Sequence, residues 1–137
     1  MTPLANQIYK QLVRRLRANK LSITYGELAH AVSGRKPVHH RSPTFHAALG
    51  EISEACRANL LPCLPAMVWR NDIRRPGDAY YRYAHPRSRT DSARTAAWQR
   101  EHEAVIRESA RFPRELGHST TTPKVPRKHA RTPHALF

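Results

Sequence analysis

Acidic side chains are scarce in this chain: ten Asp and Glu stand against 24 Lys and Arg over 137 residues, giving a formal charge of +14 and a pI near 11. A surface so short of carboxylate points to acidic partners. Cysteine is nearly absent, and Cys56 and Cys63 alone cannot frame a disulfide scaffold. A secreted knot is therefore excluded, and a reducing cytoplasm is the expected compartment. No apolar run approaches the roughly 20 residues that a membrane-spanning helix needs. The opening stretch, MTPLANQIYKQLVRRLRANK, lacks the apolar core and small-residue cleavage site of a secretion signal. Nucleic acid is thus favoured over membrane. Hydrophobic residues make up 39%, lean but enough for one core in about a hundred residues, while eleven prolines place part of the chain outside it.

The periodicity predicts a helix over 2–19, with Thr2 as cap, Pro3 at the first helical position, and Leu4, Ile8, Leu12 and Leu16 recurring every fourth residue. A second, short helix is expected over 26–32. A basic loop follows, Arg35-Lys36-Pro37-Val38-His39-His40-Arg41, and Ser42-Pro43 then starts a third helix running to about Asn59. Residues 60–69 and 79–83 read as two strands of a hairpin around a charged turn with Pro76-Gly77. A fourth helix is expected over 91–111. From 113 to 137 four prolines, five Lys/Arg and one Glu show no usable period, which reads as a disordered basic tail. Its net +4 leaves +10 on residues 1–112, so the folded part is basic in its own right. The expected class is mainly α with a small β-hairpin: a winged helix-turn-helix over 1–89, a helix over 90–112 packing on it or on a partner, and the tail. In that architecture the third helix meets the duplex and the hairpin turn touches the backbone beside it.

Three segments add a resemblance. Ile23-Thr24-Tyr25-Gly26-Glu27-Leu28-Ala29, then Ala48-Leu49-Gly50 with Arg57-Ala58-Asn59, then Leu60-Leu61-Pro62-Cys63 are similar to the boxes of the methylguanine-DNA methyltransferase family and its alkyltransferase-like relatives. The likeness spans about residues 4–83. It implies a DNA-binding scaffold in which small residues such as Ala47 and Gly50 let the third helix approach a groove, Arg57 replaces a flipped guanine, and Tyr25 matches the active-site tyrosine. The chemistry departs from the family. Pro62-Cys63-Leu64-Pro65 stands where the family has Pro-Cys-His-Arg, so no His draws the proton from the thiol. Alkyl transfer is not expected.

The candidate nucleic-acid contacts are Tyr25, Arg35, Lys36, His39, His40, Arg41, His46, Arg57, Arg70, Arg74 and Arg75, with Lys124, Arg127, Lys128 and Arg131 as phosphate contacts of the tail. The 35–41 loop carries most weight because it directly precedes the third helix. Glu51 and Glu54 argue against deep insertion of that helix. No metal site and no cofactor are expected, since neither cysteine has a companion at ligand spacing. The leading expectation is a non-catalytic protein binding duplex DNA. Two rivals are a subunit or accessory factor of a nucleoprotein assembly, such as a bacterial defence (CRISPR-type) complex or its phage antagonist, and a degenerate alkyltransferase. Trp98 bears on the first rival: exposed on an apolar patch of the 91–111 helix it favours a protein partner, buried against the first helix it does not.

Overall fold

The computed structural model describes residues 1–116 and Phe137. Helix α1 (Pro3–Arg17) starts where Thr2 caps it, the hydroxyl accepting from the Ala5 amide at 3.2 Å. The same hydroxyl donates to Glu51 Oε1 at 2.7 Å, which ties the start of α1 to the third helix. Most of the expected stripe is buried, Ile8 and Leu12 fully and Leu16 nearly so, with Leu4 half-buried at its start; Tyr9 and Val13 widen it. Helix α2 (Tyr25–Val32) opens on a capping box in which Thr24 and Glu27 satisfy each other's backbone amides at 3.0 Å. Helix α3 (Pro43–Ala58) opens on Ser42, whose hydroxyl accepts from the Phe45 amide. Phe45, Leu49, Ile52 and Cys56 line its fully buried side against α1 and the segment after α3.

Beyond α3 the structure corrects the reading of the sequence. Residues 60–69 form no long strand: Leu64–Met67 is a 3-10 turn, and only Val68–Trp69 (β2) is extended. β2 pairs in parallel with Ile23–Thr24 (β1), Ile23 opposite Val68 and Thr24 opposite Trp69. The proposed return strand is a helix, α4 (Asp78–Ala84). Its Tyr80 and Tyr81 are both buried although adjacent, which one face of a strand could not achieve and one side of a helix turn can. No hairpin is present among the described residues, and the described part is mainly helical with this one two-stranded sheet.

Helix α5 (Asp91–Arg107) is capped by Thr90 and ends in a short 3-10 turn, Ser109–Arg111. It lies on the 64–67 turn through Trp98, whose indole N–H donates to the Ala66 carbonyl at 2.9 Å. Trp98 is therefore buried, on the 64–67 turn rather than against α1. The assignment of 113–137 as disordered needs correction at both ends. Tyr9 donates to the Pro113 carbonyl at 2.6 Å, and Leu116 and Phe137 are both buried on the domain. Among the described residues no helix is long and apolar enough to cross a membrane.

Candidate nucleic-acid interface

The sequence from Ser33 to Ser42 is built to hold a loop in one shape. Ser33 closes α2 by donating to the Ala29 carbonyl at 2.8 Å, and the same oxygen accepts the Val38 amide at 2.9 Å. At the far end the Arg41 amide donates to His39 Nδ1 at 3.0 Å, and Ser42 N–H to the His39 carbonyl at 3.0 Å. The rings of His39 and His40 stack with centroids 4.7 Å apart. Arg35, Lys36 and Arg41 thus stand exposed on an organised backbone. Among the described residues none of the three has a carboxylate within 4 Å, so their charge is presented to solvent.

The parallel pairing of β1 with β2 sets the residues after the two strands side by side, Tyr25 after β1 and Arg70 after β2. The result is a cleft of about 1040 Å³ whose wall includes Tyr25, His40, Arg41, His46, Arg70 and Gly77. Five of the sequence-predicted residues therefore meet in one place. Tyr25 braces the wall: its hydroxyl accepts the Gly77 amide at 2.9 Å, and burial raises its pKa well above the ordinary tyrosine value. His46 is buried, and Nε2 donates to the His40 carbonyl at 2.6 Å, linking α3 to the basic loop. Burial lowers the pKa of His46, so the neutral ring is favoured. Burial likewise lowers that of His40, helped by neighbouring His39 and Arg41.

Charge around the cleft is sorted by pairing. Arg70 grips Asp72 with two hydrogen bonds, at 3.1 and 2.8 Å. Asp78 is shared between Arg82 at 2.9 Å and Arg94 at 2.7 Å. Asp72 and Asp78 are thereby matched by arginines, while Glu27, held in the capping box of α2, and Arg41 stand on the same wall without an ion-pair partner among the described residues. Arg35, Lys36 and His39 belong to the adjoining loop; His39 lines a second, smaller hollow there, and Arg35 and Lys36 line neither recess.

Other candidates fall elsewhere. Arg57 lies at the opposite end of α3, where it donates to the Tyr83 carbonyl, and it does not pair with Glu54. Arg74 is exposed on the turn after β2, and Arg75 is tied to Thr95 of α5 at 3.0 Å. Gly50 is covered, since a Cβ there would stand 2.7 Å from the Tyr83 hydroxyl, so it cannot face a groove as the resemblance implied. The solvent side of α3 instead shows Ala47, Glu54 and half of Glu51. Cys63 is not on the main cleft. Its thiol donates to the Ser53 hydroxyl at 3.3 Å, and burial pushes its pKa far above the ordinary thiol value. Lys124, Arg127, Lys128 and Arg131 lie outside the described residues.

The sequence reading missed Gly77, Asp78, Arg82 and Phe137, all of which line the cleft. Pro76-Gly77-Asp78 was visible as a turn, but a turn between two strands would have pointed these side chains elsewhere. Set beside known protein-family models, curated protein sequences and solved structures, the chain matches none of them.

Proposed function

We propose that this chain is a non-catalytic DNA-binding protein that holds duplex DNA along the 35–41 loop and the rim of the adjoining cleft. In this reading α2, the loop and α3 form a helix-turn-helix of alkyltransferase-like shape, and the turn after β2 takes the place of the wing. One observation carries it: Arg35, Lys36 and Arg41 stand without carboxylate partners among the described residues, on a loop already shaped by its own hydrogen bonds, whose Arg41 also lines the adjoining cleft. Cations presented in this way neutralise phosphates and release counterions, with little ordering cost on binding. The contact is made by the loop and cleft rather than by the exposed side of α3, where Glu51 and Glu54 would repel phosphate. The thiol of Cys63, protonated and enclosed, supports the non-catalytic part of the reading.

The test is a salt-titrated binding comparison using a duplex, a single strand of the same sequence and a structured RNA. The expected result is tightest binding to the duplex, with log K falling linearly against log salt. Equal or tighter binding to the RNA would move the reading to RNA, and no salt-dependent binding to any of the three would end it.

A further inference from the structure

Twenty residues separate Phe137 from Leu116, yet Phe137 is only 3% exposed. Its amide donates to Nδ1 of His46 at 2.7 Å. Because Nε2 of the same ring gives its proton to the His40 carbonyl, the tautomer is fixed and Nδ1 is free to accept. The phenyl ring lies 5.4 Å from the ring of Tyr83 and 6.2 Å from that of Tyr80. Its carbonyl group rests against Gly77, in the space a side chain would fill: a Cβ there would stand 2.7 Å from the carbonyl carbon and closer still to the oxygen. Hydrogen bond, aromatic neighbours and glycine cradle all lie on the cleft that also carries Arg41, Arg70 and Arg82.

We propose that Phe137 is a built-in competitor for this cleft: docked between His46, Gly77 and Tyr83 it holds the site, and a nucleic acid seating on the basic rim must displace it. The inference rests on the nucleic-acid reading above. An occupant joined to its site by the chain acts at an effective concentration of about millimolar, so a modest contact suffices to keep it in place.

Two full-length variants release Phe137 by different routes. Phe137→Ala removes the ring. Gly77→Ala keeps the ring and fills its cradle; Gly77 has φ −77° and ψ 174°, which alanine adopts without strain, and the new methyl would meet the Tyr25 hydroxyl only at 3.7 Å. Nitrogen-15 shifts of the His46 imidazole report docking, and titration of a labelled duplex at fixed salt reports the consequence. Both variants should shift the His46 Nδ1 resonance and tighten duplex binding about threefold to tenfold, as expected if roughly 70–90% of the wild-type cleft is occupied. A peptide of residues 130–137 added to Phe137→Ala should reverse both changes. An unchanged His46 resonance, or a shifted resonance with wild-type duplex affinity, would overturn the competitor role alone. Absence of duplex binding by all three proteins would instead defeat the nucleic-acid reading, and the competitor role with it.

Discussion

Replacing Arg35, Lys36 and Arg41 together with alanine removes three cations from the loop, of which Arg41 lines the cleft, and leaves the loop intact. The bonds that shape it come from Ser33, the Val38 and Arg41 amides, and His39, none of which needs the three side chains. Each neutralised phosphate contributes about −0.9 to the slope of log K against log salt, so losing three contacts should flatten the slope by about 2.7. At about 0.1 M salt the same term amounts to about a 500-fold loss of affinity. All three side chains are exposed, so unfolding stability should stay within about 0.5 kcal/mol of wild type. Fluorescence anisotropy of a labelled duplex over a salt series reads the slope, and urea unfolding checks the fold. Glu54→Gln serves as the control on the neighbouring helix, and little change is expected. A triple variant with the wild-type slope, or a strong tightening by Glu54→Gln, would refute the assignment of the loop and return the contact to α3.

Trp98→Phe keeps most of the buried ring but strands the Ala66 carbonyl, which should cost about 1–3 kcal/mol in urea unfolding. Trp98→Ala should cost about 3–5 kcal/mol, and a loss under about 0.5 kcal/mol would contradict the packing of α5 on the 64–67 turn. The lowered pKa of His46, set by burial, means that below the ordinary histidine value of 6.5 the unfolded chain takes up a proton that the folded chain refuses. Stability should therefore fall as pH drops below about 6.5, by up to about 1.4 kcal/mol per pH unit from this residue until the folded ring itself titrates. His40 and His85 act in the same direction. Urea midpoints at neutral and mildly acid pH measure this, and a His46→Gln variant that kept the full wild-type pH dependence would contradict it. Cys63 should react far more slowly with iodoacetamide in the folded protein than in urea. Incubation with duplex containing methylated guanine should leave the intact mass unchanged; transfer of a methyl group to Cys63 would overturn the non-catalytic reading.

The first and third helices were legible because each carries its own punctuation, Thr2 with Pro3 and Ser42 with Pro43, leading into an apolar stripe; the second was expected over 26–32, and its capping box of Thr24 and Glu27 went unread. Local signals of this kind act within one or two turns and need no partner. α4 was not legible. Ala79-Tyr80-Tyr81-Arg82-Tyr83 alternates well enough for a strand, and the choice is made by packing on α3, where Tyr83 settles over Gly50. The pairing of β1 with β2 joins segments 45 residues apart through two residues each, too little for a pattern in either. At the site, Tyr25 was singled out by the resemblance, His40, Arg41 and His46 by their place before or on α3, and Arg70 by the charged turn after it. Their meeting depends on that long-range pairing. Phe137 was unreadable for another reason: proline-rich, basic surroundings suggest a chain with nothing to bury, and one aromatic residue among them gives no period.

The same two-residue pairing has a consequence for how the protein comes into being. Helices α1 to α3 and the loop between them are specified by neighbours in the sequence and can form early. The walls of the cleft come from residues 24–46 on one side and 70–82 on the other, and they are aligned only by long-range contacts: Val68 and Trp69 on Ile23 and Thr24, Gly77 on Tyr25, and α4 on α3. A chain still being synthesised thus carries its exposed arginines for many residues before it owns the recess beside them. The ability to seat a ligand there should arrive in one late, cooperative step rather than growing with chain length.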